Sequence, residues 1–116
     1  MLKAIERIDV AVARLEPALA TYERNFGLRA AGQRHDGEPM LLPIGESAIG
    51  LIAAETGARQ GMVALWLLAD DVEQVRAALT RAGFGCRPMR RQGAMRVVEV
   101  ERGCGQGPLF IFDRRP

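Results

Sequence analysis

The sequence predicts an α+β fold made of two βαβββ modules, and two observations support this prediction. The first is an internal repeat at an offset of 57 positions, in which the apolar residues of one strand return in another: Ile8, Val10 and Val12 correspond to Leu65, Leu67 and Ala69. The second is that each half follows the same order of patterns, namely alternating residues, then helical spacing, then further short strands. Two copies of one supersecondary unit bury a shared core, so the 116 residues form a single domain of two modules.

The first module covers about residues 4–55. Residues 5–13 alternate between apolar and polar positions, which predicts a half-buried strand. Residues 15–25 carry apolar side chains at the spacing of an amphipathic helix, with Pro17 in the first turn and Gly27 at the end. Strands are predicted at 28–34, 40–44 and 48–54, with His35 in a turn over 35–38.

The second module covers about residues 61–113. A strand is predicted over 62–69, and a helix over 72–82 follows it. Asp70 and Asp71 can cap that helix, and Gly83 can end it. Further strands are predicted at 87–89, 96–101 and 109–112, which completes the second βαβββ pattern.

The composition is ordinary for a globular protein, with 48% apolar and 26% charged residues and a net charge of +2. No apolar run is long enough to span a bilayer, and the charged N-terminus is unlike a signal peptide, so a cytoplasmic protein without a membrane partner is expected. Four arginines gather late in the chain, at Arg87, Arg90, Arg91 and Arg96. Glu99 and Glu101 follow them closely and aromatic residues are only 5%, so no nucleic-acid partner is expected.

Four segments of the chain resemble the vicinal oxygen chelate superfamily, which includes glyoxalase I, the bleomycin resistance proteins, extradiol dioxygenases and methylmalonyl-CoA epimerase. The segment VAVARLEPALATYERNFGL resembles its opening strand and helix, and LLPIGESAIGLI resembles its strand-turn-strand signature. ALWLLADDVEQVRAALTRAGF resembles the start of the second module, and GPLFIF resembles the closing strand. The resemblance implies a glyoxalase/bleomycin-resistance-like fold in which two modules curl around a cleft, and it implies a homodimer.

The resemblance also implies a metal site with one ligand from each of four strands. The four positions fall on residues that offer no metal donor: Arg7, Gly50, Ala64 and Ile111. We therefore expect no metal ion and no cofactor. A different centre built from Asp9, Glu99 or Glu101 stays open as an alternative, and the lone His35 is interpreted as a solvated turn residue.

Strand alternation and the resemblance together place a group of side chains on the cleft face of the sheet. The candidate ligand-binding residues are Arg7, Asp9, Gly50, Ala64, Trp66 and Ile111. Gly50 and Ala64 leave space, Trp66 offers a flat wall, and Arg7 can hold a carboxylate or a phosphate. In the alternative interpretation, Arg7 and Asp9 neutralise each other and Trp66 only packs.

The favoured function is metal-independent binding of a small organic molecule. In this interpretation the protein sequesters an aromatic or anionic compound. One alternative is a glyoxalase-type lyase, epimerase or dioxygenase with an atypical site, which needs an unrecognised metal or acid–base chemistry from Asp9 or the Glu99/Glu101 strand. A second alternative is a non-catalytic interaction subunit. The missing ligands weigh against an enzyme. The sequence leaves open whether the modules pair within one chain or swap across a dimer.

Overall fold

The computed structural model describes residues 2–31, 38–55, 58, 60–101 and 107–114. Its elements, in chain order, are β1 (Leu2–Val12), α1 (Leu15–Phe26), β2 (Met40–Ile44), β3 (Ser47–Ala53), β4 (Gly61–Ala69), α2 (Val72–Arg81), β5 (Arg90–Gln92), β6 (Met95–Val100) and β7 (Leu109–Arg114). They form two compact units. We call Arg7–Val63 the first unit, and Met1–Glu6 together with Ala64–Pro116 the second unit. Within the described ranges, no helix is both long and apolar enough to cross a membrane.

The elements confirm the predicted α+β class and repeat along the chain at the predicted offset. β1 ends at Val12 and β4 at Ala69, while α1 begins at Leu15 and α2 at Val72. One predicted strand is wrong where it can be checked, because residues 28–31 form no strand, although the Ala31 N–H donates to the Leu41 carbonyl at 2.9 Å. The remainder of that strand and the turn around His35 lie outside the described residues.

A second difference concerns the strand predicted at 87–89. In the structure, Cys86 forms an isolated bridge with Val100, and the regular strand β5 begins only at Arg90. The Arg87 N–H still donates to the Glu99 carbonyl at 2.9 Å, so the chain approaches β6 before a ladder is established.

The first unit orders its strands β2-β3-β1, with β3 antiparallel to β2 and parallel to β1. Leu42 on β2 and Leu51 on β3 are fully buried. α1 contacts β3 but buries none of its own residues. The helix ends at Gly27, whose φ of 69° lies in the left-handed region that glycine adopts without strain.

The second unit orders its strands β4-β7-β6-β5, with β4 parallel to β7 and the other two pairs antiparallel. α2 packs on β6 and β7. The buried core of this unit comprises Ala69, Val72, Val75, Val98, Val100 and Ile111. The predicted cap of α2 is confirmed at Asp71, whose side chain accepts from the Glu73 N–H at 3.0 Å.

Candidate functional site

Arg7 and Asp9 form an ion pair on β1 in the first unit. Both are candidate ligand-binding residues predicted from the sequence. The Arg7 Nε lies 2.8 Å from Asp9 Oδ1, and the Arg7 Nη2 donates to Asp9 Oδ2 at 3.3 Å. The two residues are neighbours because side chains two apart on a strand point to the same face. Asp9 is 5% exposed, so its charge is balanced by the guanidinium rather than by water.

Gly50 on β3 makes room for this ion pair. It is the register partner of Asp9 in the parallel ladder, so both residues face the same side of the sheet. A Cβ at position 50 would overlap with Asp9 Oδ1 and lie 3.1 Å from the Pro39 Cβ. Any larger side chain there would have to displace the carboxylate. The structure therefore brings together Arg7, Asp9 and Gly50, three of the sequence-predicted site residues.

The ladder of the second unit corrects the predicted position on the closing strand. Asp9 pairs with Gly50 in the first unit, and Trp66, the repeat counterpart of Asp9, pairs with Phe110. Phe110 is thus the counterpart of Gly50. Ile111 pairs with Leu67 and belongs to the buried core under α2, so it lies on the opposite face from Trp66. The prediction that Ile111 shares a face with Trp66 is wrong by one residue.

Aromatic side chains cover the face of the second unit on which Trp66 lies. The indole of Trp66 stacks on the Phe110 ring with centroids 4.3 Å apart and an interplanar angle of 21°. Phe112 meets Trp66 edge-on at 6.2 Å. We call these three rings the aromatic surface. Trp66 and Phe110 keep part of their surface exposed, whereas Phe112 is 2% exposed. Ala64, at the start of the same strand face, is buried.

An arginine lies at the end of the aromatic surface. The Arg114 guanidinium carbon is 4.9 Å from the centroid of the Phe112 ring, which is within the range of a cation–π contact. Its Nη2 donates to Glu6 Oε1 at 2.9 Å, and the side chain remains 56% exposed. All of these residues belong to the second unit.

A second arginine–carboxylate cluster lies at the start of α2 in the same unit. Asp113, 1% exposed, accepts from the Val72 N–H at 2.8 Å through Oδ2. The Arg96 Nε donates to Asp113 Oδ1 at 2.9 Å, and its Nη2 reaches both Asp113 and Asp71. The Asp113 carboxylate raises the pKa of the Arg96 guanidinium above its usual range. The half-buried Arg96 thus belongs to a cluster with carboxylates rather than to a basic surface.

The residues at the metal positions do not fit a divalent ion. In the first unit the guanidinium of Arg7 has no lone pair to donate to a metal, and both oxygens of Asp9 face it. In the second unit Ala64 and the corrected position Phe110 carry no side-chain donor. Glu99, an alternative donor, pairs with Arg87 at 3.2 Å. Among the described residues, no three histidine, cysteine or acidic side chains lie close enough to hold a metal ion.

Two parts of these clusters were missed from the sequence. The strand LFIFDR is apolar at four successive positions, so alternation alone does not reveal which of its faces points to the helix. The pairing of Trp66 with Phe110 reveals which face of this strand points to the helix, but that pairing is known only once the register of the sheet is known. Arg96 and Asp113 are 17 residues apart, and nothing local in the sequence marks them as partners.

Comparisons with known proteins agree with this architecture. A family model for the Glyoxalase/Bleomycin resistance protein/Dioxygenase superfamily matches residues 4–100. The chain is similar to methylmalonyl-CoA epimerase from Mycobacterium tuberculosis, with a TM-score of 0.75 and 18% identity over 99% of this chain and 90% of that one. It is also similar to a hypothetical protein from Bacillus halodurans C-125, with a TM-score of 0.76 and 16% identity over 97% and 95% of the two chains.

A third similar structure is a variant of Streptomyces coelicolor methylmalonyl-CoA epimerase in complex with 2-nitronate-propionyl-CoA. Its TM-score is 0.75 at 16% identity, over 98% of this chain and 96% of that one. A search of curated proteins finds no significant match. At these identities the structural likeness shows the fold alone, so the chemistry has to be argued from the residues of this chain.

Proposed function

We propose that this chain, which belongs to the Glyoxalase/Bleomycin resistance protein/Dioxygenase superfamily, binds a small organic molecule without using a divalent metal ion. The observation that carries the proposal is the Arg7–Asp9 ion pair seated against Gly50. Arg7 and Gly50 occupy two of the four positions at which the resemblance implies metal ligands. A metal in that place would meet a guanidinium, which repels a cation and has no lone pair to donate.

The charge of the pair supports binding rather than metal chemistry. Asp9 lies beside Arg7 and Gly50, the two metal positions of the first unit, and both of its oxygens face Arg7. A ligand at this pair therefore meets a fixed and nearly neutral dipole. The second unit, considered by itself, offers an aromatic surface with Arg114 at its end. Apolar walls with a few polar groups are typical of small-molecule sites. Similar structures in this superfamily hold CoA derivatives, which supports the small-molecule part of the proposal.

The metal part of the proposal is tested by elemental analysis and by calorimetric titration with zinc, nickel, iron(II) and manganese. We expect well under one metal ion per chain and no saturable binding, because no complete donor set exists at the proposed positions. Stoichiometric metal that is lost in an Asp9→Asn variant but kept in a Glu55→Gln variant would contradict the proposal. Glu55 is an exposed acid of the same unit, so it controls for the change in charge.

We also propose that the chain forms a two-fold homodimer. Large apolar side chains are exposed in both units, at Leu2, Ile5, Phe26, Ile44 and Phe84. Apolar surface of this kind is commonly buried by a second copy in symmetric assemblies. Light scattering at tens of micromolar should give twice the chain mass of 12.7 kDa. A monomer at that concentration would rule the homodimer out.

A further inference from the structure

We infer that the second unit recognises a planar aromatic carboxylate, with Trp66 and Phe110 of the aromatic surface contacting its plane and Arg114, rather than Arg7, contacting its charge. This inference rests on the proposed small-molecule function and names the ligand class. It assigns the anion contact to Arg114 at the end of β7, whereas the sequence predicted this contact at Arg7 in the first unit.

The aromatic surface is suited to a flat, apolar partner. Trp66 and Phe110 are already stacked at 4.3 Å, so their orientation is fixed before a ligand arrives. Phe112 supports Trp66 from the side and is itself buried. Rings held in this way lose little conformational freedom on binding, and aromatic pairs contribute beyond the area that they bury. A planar aromatic ligand can therefore extend a stack that the protein has already built.

Arg114 is better placed than Arg7 to receive an anion. Arg7 is 26% exposed, and both its Nε and its Nη2 face Asp9. Arg114 is 56% exposed, and its contact with Glu6 involves a single nitrogen of a group that carries five N–H donors. The guanidinium also lies over the Phe112 ring, so it is positioned next to the aromatic surface.

Glu6 sets the strength of the anion contact. Its carboxylate, 32% exposed, competes for the guanidinium that a ligand carboxylate would approach. Removing the charge of Glu6 should therefore strengthen the binding of an anion while leaving a neutral ligand unaffected. A surface whose rings alone bind the ligand would show no such difference.

The experiment compares three probes by calorimetry on the intact chain, treated with a chelator: 2-naphthoate, the neutral 2-naphthalenemethanol, and the non-aromatic cyclohexanecarboxylate. We expect 2-naphthoate to bind most tightly. Because a charge-assisted hydrogen bond is lost, Arg114→Ala should weaken its binding about tenfold, to the level of the neutral probe. Glu6→Gln should tighten 2-naphthoate binding several-fold, and Arg114→Lys should restore part of the loss.

The matched control is Arg76→Ala. Arg76 is 45% exposed and pairs with Glu73 at 3.0 Å on α2, so its removal changes the net charge equally on the opposite side of the sheet. We expect it to leave all three affinities unchanged, and thermal melts to show that every variant is folded. Trp66, the single tryptophan, reports through its fluorescence whether the probe lies on the aromatic surface.

Two results would overturn the inference while leaving the proposed function intact. One is 2-naphthoate binding that Arg7→Ala weakens and Arg114→Ala does not. The other is no binding of 2-naphthoate to the chelator-treated chain, while no metal restores it. Failure of the proposed function has a different signature, because binding would then disappear on chelation and return with a stoichiometric metal.

Discussion

Each unit contains a buried carboxylate paired with an arginine, but the two pairs contact different secondary-structure elements. In the first unit Arg7 and Asp9 lie two residues apart on β1, and Asp9 is the register partner of Gly50 on β3. In the second unit Asp113 connects β7 to Arg96 on β6 and to the first N–H of α2. The contacts of the second pair thus connect two strands and a helix, so this pair stabilises the fold directly.

The largest expected effect comes from removing the buried carboxylate of the second unit. Asp113→Asn should lower the free energy of unfolding by about 3–5 kcal/mol, because it leaves the Arg96 guanidinium without its main counter-charge. Urea denaturation followed by circular dichroism measures the loss. Asp70→Asn is the control, since Asp70 is 59% exposed and its contact with Lys3 is long, at 3.7 Å. Equal losses in the two variants would contradict the structural role of Asp113.

The pair in the first unit should behave differently when both members are replaced. Asp9→Val alone should cost about 2–3 kcal/mol, because a largely buried guanidinium loses its partner. Arg7→Met together with Asp9→Val should recover most of this loss, because a buried ion pair contributes little beyond what well-packed apolar side chains provide. The readout is a double-mutant cycle in urea. Additive losses would show that Arg7 and Asp9 are not coupled.

The contact with Gly50 should depend on the same pair. Gly50→Ala places a Cβ against Asp9 Oδ1, so overpacking should cost about 1–3 kcal/mol. The cost should fall in the background that carries both Arg7→Met and Asp9→Val, where the carboxylate is gone. It should not vanish, since Pro39 is still only 3.1 Å away. An identical cost in both backgrounds would place the strain elsewhere.

The two units also differ in how far the sequence predicts them. Periodicity located both helices, and the cap at Asp71 could be predicted because capping depends on residues adjacent in sequence. The phase of β7 could not be predicted, because its strand is apolar on both faces. The contact between Arg96 and Asp113 could not be predicted for a related reason, because the two residues become neighbours only when β6 pairs with β7.

Within the site, the adjacent pair could be predicted and the distant contacts could not. Arg7 and Asp9 are two apart on one strand, so alternation alone suggests that they meet. The aromatic surface needs the register of β4 against β7, and the contact between Glu6 and Arg114 joins residues at opposite ends of the chain. Sequence periodicity records neighbours along an element, whereas these contacts depend on tertiary pairing.

The smallest expected effect concerns the two helix starts, which are counterparts in the repeat. Asp71 caps α2 through its side chain, whereas Arg14, at the same place before α1, has extended backbone with φ −137° and makes no capping hydrogen bond. Arg14→Asp should therefore raise the free energy of unfolding by about 0.5–1 kcal/mol, because a carboxylate can accept from the first turn and favours the positive end of the helix dipole. Thermal and urea unfolding measure the gain.

A matched variant separates capping from a simple change in charge. Arg24→Asp alters the net charge equally but lies in the last turn of α1, where a negative charge opposes the helix dipole, so it should destabilise rather than stabilise. If both variants shift stability in the same direction, net charge rather than the cap explains the effect. If only Arg14→Asp stabilises, the first unit carries an unfilled cap at the position where the second unit has Asp71, and the difference between the two helix starts lies in one side chain.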